Sequence, residues 1–109
     1  MTFSVKPGVD LSDVHPELVR AWPVIMDTYA AFGIDNVTLT SGRDGEHMQG
    51  SFHYLTPMRA NDFRTWADDH GTQLRWSVKE RLAEELQREL GPRFTVVPER
   101  THIHIQFEG

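Results

Sequence analysis

The residues best suited to chemistry lie near the carboxyl end of the chain, in the segment Thr101-His102-Ile103-His104-Ile105. On a β-strand, His102 and His104 would project from one face of the sheet, because side chains alternate between its two faces. Glu99 stands three residues before His102. A carboxylate beside a metal-binding histidine can take a proton from water at the metal. The spacing also fits an edge strand with polar residues in solvent, so both interpretations stay open.

The middle of the chain supplies a further imidazole, His53, and a carboxylate, Asp62. Together with His102 they have the usual composition of a catalytic zinc site, which combines three protein ligands with one open position. The chain contains no cysteine, so any zinc site must use imidazole and carboxylate ligands. Whether the three side chains meet depends on the fold.

Composition restricts the classes of function. Eleven Lys and Arg against sixteen Asp and Glu give the 109 residues a net charge of −5, which argues against a nucleic-acid binder. No apolar run approaches the roughly 20 residues of a membrane span. An apolar secretion signal is also missing at the N-terminus. We therefore expect one domain, residues 1–109, that is synthesised in the cytoplasm and does not insert into a membrane.

The elements that would position these residues follow from hydrophobic periodicity and turn signals. Residues 1–13 are expected to be an irregular lead-in. A capping box at Ser77 and Glu80 predicts the start of a second helix, which Gly91-Pro92 ends. The pattern predicts an α+β domain in which two helices pack on a small antiparallel sheet, without βαβ alternation. The predicted helices cover about 16–32 and 77–90, and the strands 36–40, 59–63, 94–97 and 101–107.

Three short motifs occur in a recognisable order: Ser51-Phe52-His53, Ala60-Asn61-Asp62 and Glu99-Arg100-Thr101-His102. The chain resembles the zinc D-alanyl-D-alanine peptidases, which share their fold with the hedgehog signalling domain, and especially small bacteriophage members of that family. The resemblance implies a hedgehog/DD-peptidase-like fold. It also implies that His53, Asp62 and His102 bind Zn²⁺, with Glu99 as the general base.

The resemblance also indicates residues that contact substrate. Arg43 follows Ser41-Gly42, where the family often keeps an arginine; Arg59 or Arg64 could serve instead. His47 matches an Asp-Gly-x-His element and would line the cleft, unless it is an exposed loop histidine. His104 is a substrate contact, a hydrogen-bond partner of a ligand, or the ligand in place of His102.

The function implied by the resemblance is hydrolysis of peptide bonds in peptidoglycan stem peptides, as a carboxypeptidase or an endopeptidase. A phage or prophage lysin, released to act on the cell wall, would fit, as would a component of a phage-like particle. One departure favours an alternative, a non-catalytic phage structural or binding protein that retains the fold. His53 and Asp62 are nine residues apart instead of seven, and the family's glycine in this turn is lost near Met58. The oligomeric state stays open.

Overall fold

The computed structural model describes residues 1–43 and 57–109, which form two helices and five strands. In chain order these are β1 (Thr2–Val5), α1 (Pro16–Ala31), β2 (Asn36–Ser41), β3 (Ala60–Arg64), α2 (Trp76–Leu90), β4 (Phe94–Pro98) and β5 (His102–Phe107). The predicted α+β class with two main helices is confirmed.

The five strands form one mixed sheet in the order β1-β2-β3-β5-β4. Strands β1 and β2 are parallel, and every other neighbouring pair is antiparallel. The prediction of an antiparallel sheet is therefore wrong for the β1–β2 pair. Helix α1 is the crossover that parallel neighbours require, so β1, α1 and β2 form the βαβ unit whose absence was predicted.

The prediction of an irregular lead-in over residues 1–13 is wrong for Thr2–Val5. Of this strand's residues only Phe3 packs against the core, so the hydrophobic alternation is too weak to reveal a strand. The strand forms because distant residues supply its hydrogen bonds. The Thr2 amide donates to the Asp35 carbonyl at 2.7 Å, and the Lys6 amide donates to the Leu39 carbonyl at 2.9 Å.

Helix α1 agrees with its prediction to within one residue. Leu18, Ile25 and Tyr29 are fully buried and form the stripe expected from their spacing. At the start, Nδ1 of His15 accepts a hydrogen bond from the Glu17 amide at 3.1 Å and satisfies one of the helix's unpaired donors.

Helix α2 carries the predicted apolar face, but the predicted capping box is wrong. The helix begins at Trp76 and its N-cap residue, Arg75, makes no side-chain capping bond. Ser77 therefore lies inside the first turn, where it cannot act as the cap. Among the described residues, neither helix is long and apolar enough to cross a membrane.

The core lies between the helices and one face of the sheet. Ile103 and Ile105 of β5 and Phe63 of β3 are fully buried there, together with apolar residues of both helices. Because side chains alternate along a strand, His102 and His104 project from the opposite face. In the β3–β5 register Asp62 pairs with His104 and Arg64 with His102, so polar residues of both strands share that opposite face.

Shortening a side chain should lower the free energy of unfolding more on the core face of the sheet than on the opposite face. We expect Ile103→Ala to lower the free energy of unfolding by about 2–5 kcal/mol, because it leaves a cavity in the core. Val97→Ala is the control, since Val97 lies on the adjacent strand and is 39% exposed. It should lower the free energy by less than about 1 kcal/mol. Urea unfolding measures both, and equal losses would contradict the assignment of the faces.

Candidate functional site

Three polar residues meet at one end of the β3–β5 pair. Asp62 comes from β3, His102 begins β5, and Glu99 lies in the turn that joins β4 to β5. Nε2 of His102 lies 2.5 Å from Oε2 of Glu99 and 3.7 Å from Oδ2 of Asp62. The fold thus brings together the carboxylate, imidazole and second carboxylate that the motifs singled out.

Asp62 is the centre of this cluster. Its side chain is only 10% exposed, and its two oxygens face different histidines. Oδ2 faces His102, and Oδ1 is 3.0 Å from Nδ1 of His104. Burial of a carboxylate is unfavourable unless hydrogen bonds and opposite charge compensate it, and His104 can supply both.

His104 is held between two hydrogen-bond acceptors. Its Nε2 lies 2.7 Å from Oε1 of Gln106, whose amide nitrogen donates to a carboxylate oxygen of Glu108 at 2.5 Å. That bond orients the amide so that its oxygen faces His104. Since Asp62 also accepts, both ring nitrogens of His104 act as donors, which is the bonding pattern of an imidazolium.

The pKa of His104 reflects this arrangement. Burial lowers the pKa, but the hydrogen bonds to Asp62 and Gln106 and the negative charges of Asp62 and Glu99 raise it more, so the net shift is upward. Both ring nitrogens of His104 already face hydrogen-bond partners, Asp62 and Gln106. The geometry therefore favours His104 as the residue that orients Asp62, and favours His102 as the ligand.

His102 offers one nitrogen to the two carboxylates. Its Nδ1 lies 3.1 Å from the Thr101 hydroxyl, which leaves Nε2 facing Asp62 and Glu99. Two donor atoms bound to one tetrahedral Zn²⁺ at 2.0–2.1 Å are about 3.4 Å apart. The 3.7 Å between Nε2 of His102 and Oδ2 of Asp62 is close to that separation, so this pair fits two ligands of one ion.

The third predicted ligand, His53, and the predicted cleft residue His47 lie outside the described residues. Within residues 1–43 and 57–109, no group of three or more His, Asp or Glu side chains is arranged to hold a metal ion. The described part of the site therefore consists of the Asp62–His102 pair with Glu99 beside it.

Arg43 lies two residues beyond Ser41, the cross-strand partner of Asp62. Its amide donates to the Asp10 carbonyl at 2.9 Å and its Nε donates to the Ser12 carbonyl at 3.0 Å. Gly42 is needed here, because a Cβ at this position would overlap the carbonyl oxygen of Asp10. These contacts anchor Arg43 to the segment that precedes α1.

Met58, near which the resemblance predicts the loss of a glycine, forms an isolated parallel β-bridge with Val14. It is fully buried, its amide donates to the Asp13 carbonyl at 2.7 Å, and its carbonyl accepts from the His15 amide at 2.9 Å. Of the described non-glycine residues only Asp13 has a positive φ. Met58 thus adopts an ordinary backbone conformation, and the missing glycine causes no strain at this residue.

Arg64 lies beside the cluster, opposite His102 in the β3–β5 register. Its guanidinium carbon lies 3.8 Å from the centroid of the Trp66 ring, a stacked cation–π contact that orients the group. Both side chains line a cavity of about 580 Å³ whose described lining includes neither Asp62 nor His102. Of the arginines proposed to contact substrate, Arg64 borders this cavity. Arg59 instead contacts Phe107 and the Glu108 carbonyl.

Sequence reasoning missed one residue of this region, the buried Lys79. It is 2% exposed and its ammonium reaches the turn that carries Glu99. A signal was present, because Lys79 is three, four and seven residues before the apolar Leu82, Ala83 and Leu86. That spacing places a lysine on the buried face of α2.

Comparison with family models, with curated proteins and with solved structures finds no match to this chain.

The contact between Asp62 and His104 predicts a change in titration. Asp62→Asn removes the charge that raises the pKa of His104, so we expect that pKa to fall. Histidine ring resonances followed by NMR against pH measure the change. The control is Asp68→Asn, which removes an exposed carboxylate outside the cluster and should leave the pKa of His104 where it is.

The raised pKa of His104 makes the stability of the protein depend on pH. Because the folded-state pKa of His104 is raised above the ordinary histidine value of about 6.5, its contribution to stability is fully present below about pH 6.5. The contribution is lost as the pH rises through the folded-state pKa. Asp62→Asn should therefore destabilise the protein more at pH 6 than at pH 9, and an equal loss at both values would contradict the coupling.

Proposed function

We propose that this chain is a zinc metallopeptidase that hydrolyses peptide bonds in the stem peptides of bacterial peptidoglycan. The observation that carries the proposal is that Asp62 Oδ2 and Glu99 Oε2 both face Nε2 of His102. A ligand pair of this kind with a carboxylate next to it suits the hydrolysis of an amide at a metal. The order of the three motifs supports the substrate class.

Each residue has a distinct part in the proposal. Asp62 and His102, with His53, would hold the Zn²⁺, which when bound polarises the scissile carbonyl and acidifies a neighbouring water molecule. Glu99, whose side chain is 48% exposed, would accept the proton of the attacking water and return it to the departing amine. His104 would hold the Asp62 carboxylate in its orientation.

The substrate would be bound by cationic and polar groups around this centre. Arg64 and Arg43 are the candidates for a substrate carboxylate, and the cavity beside Arg64 has room for part of the peptide. His47 would line the cleft. The enzyme would reach the cell wall as a lysin released from the cytoplasm or as part of a phage-like particle.

A second candidate function is a non-catalytic binding or structural protein of a phage particle. The contact that favours it is the 2.5 Å approach of Glu99 Oε2 to His102 Nε2. That contact satisfies the histidine without a metal, so the fold can be complete with no ion bound. The two candidates differ in whether the site cleaves a peptide bond, and only the enzyme requires Zn²⁺.

Removal of the general base tests the enzymatic proposal. We expect wild-type protein to bind one zinc and to cleave muropeptides, and we expect Glu99→Gln to keep the zinc but cleave about 10²–10⁴-fold more slowly. The amide keeps the shape of the side chain but cannot accept the proton. Zinc content by mass spectrometry and product analysis by liquid chromatography measure the two effects.

The control for this experiment is Glu89→Gln, an exposed glutamate on α2 that should leave both properties unchanged. Zinc binding without cleavage in the wild type would support the binding protein. A wild-type protein that takes up no zinc would contradict the metallopeptidase.

Substitution of His102 and substitution of His104 should weaken zinc binding by different amounts. We expect His104→Ala to weaken zinc binding roughly 10–100-fold, the usual effect of losing a residue that orients a ligand. His102→Ala should weaken it considerably more, because it removes a ligand. Competition with a chromophoric chelator measures both constants. The reverse order would make His104 the ligand.

A further inference from the structure

Lys79 is a buried cation whose hydrogen-bonding capacity is fully used. Its Nζ donates to the carbonyl of Arg100 at 2.7 Å, to the carbonyl of Glu99 at 3.1 Å and to Oε1 of Gln73 at 3.4 Å. An ammonium has three N–H donors, so each has an acceptor. The same oxygen of Gln73 also accepts from the Thr65 hydroxyl at 2.7 Å. The group thus joins α2, the end of β3 and the turn before β5.

The buried charge of Lys79 is compensated by hydrogen bonds and by an aromatic ring. Among the described residues Lys79 forms no ion pair with a carboxylate, and burial lowers its pKa. Three hydrogen-bond acceptors surround the ammonium instead, and the centroid of the Trp76 ring lies 5.8 Å from Nζ. The ammonium can therefore also serve to hold the groups that it contacts.

That use is indicated by the two carbonyls that Lys79 binds. They belong to consecutive residues, Glu99 and Arg100, at the tip of the turn between β4 and β5. The turn closes through a hydrogen bond from the Glu99 amide to the His102 carbonyl at 2.8 Å. Lys79 fixes the backbone on one side of the Glu99 side chain, and β5 fixes it on the other.

We infer that Lys79 is a positioning residue, whose ammonium clamps this turn and thereby holds the Glu99 carboxylate beside Nε2 of His102. The catalytic consequence rests on the proposed function, whereas the clamp itself does not. The side chains of Glu99 and Arg100 are exposed, so core packing does not hold the turn in place. A displacement of about 1 Å in a reacting group can cost about 10²-fold in rate.

The clamp can be tested first in the unaltered protein, because the chain contains only two lysines, Lys6 and Lys79. Lys6 is exposed and serves as an internal control. We expect the Lys79 ammonium to give a slowly exchanging ¹⁵N signal with couplings across hydrogen bonds to the carbonyl carbons of Glu99 and Arg100. An ammonium that exchanges with water as fast as that of Lys6 would overturn the inference.

The second test is Lys79→Met, which keeps the length of the side chain and removes its donors. We expect hydrogen exchange of the Glu99 amide to accelerate at least tenfold. We also expect kcat for muropeptide cleavage to fall about 100-fold, with KM within about twofold and zinc retained. The control is Leu86→Ala, a buried α2 residue without these contacts. It should lower stability more than Lys79→Met and leave kcat unchanged below its unfolding temperature.

The outcomes separate this inference from the proposed function. If the wild type cleaves no muropeptide, the function fails, and the ammonium signal and Glu99 exchange still decide whether the clamp exists. In Lys79→Met, the Glu99 amide could exchange its hydrogen, and the variant could cleave muropeptides, at the wild-type rates. That result would show that Lys79 does not position Glu99. If Leu86→Ala lowers kcat equally, the effect of Lys79 is one of general stability and the inference is wrong.

Discussion

The pairing of β3 with β5 is the constraint on which the rest of the structure depends. Its register sets Phe63 against Ile103 on the core face and Asp62 against His104 on the opposite face. Because side chains alternate, a shift of one residue would turn the imidazoles into the core and the isoleucines out of it. The burial of Ile103 and Ile105 therefore also specifies where the polar cluster forms.

The buried carboxylate of Asp62 distinguishes two histidines that look equivalent in the sequence. His104 contacts polar groups at both ring nitrogens, Asp62 and Gln106, and can donate a hydrogen bond to the buried carboxylate. His102 keeps Nε2 directed toward Asp62 and Glu99. A metallopeptidase and a non-catalytic binding protein would both use this geometry, and only the metallopeptidase requires a metal at Nε2 of His102.

The turn that carries Glu99 connects this cluster to the helices. A hairpin tip with exposed side chains has little core packing of its own, yet Lys79 bonds two successive carbonyls from beneath it. Helix α2 thus serves two purposes, since Leu82 and Leu86 fill the core while Lys79, on the same face, reaches the turn. The position of the turn that carries Glu99 thus depends on how helix α2 packs against the core.

The sequence by itself determined the features that rest on local periodicity. The stripe of α1, the alternation of β5 and the termination of α2 at Gly91 depend on residues close in the chain, and these predictions are confirmed. The motifs also singled out Asp62, Glu99 and His102, which lie together, although their catalytic roles remain a proposal. Only the tertiary structure decided the strand at Thr2–Val5, the burial of Lys79 and the difference between His102 and His104. Each of these depends on partners tens of residues away, such as Asp35 for Thr2 and Asp62 for His104, and local patterns do not encode such pairings.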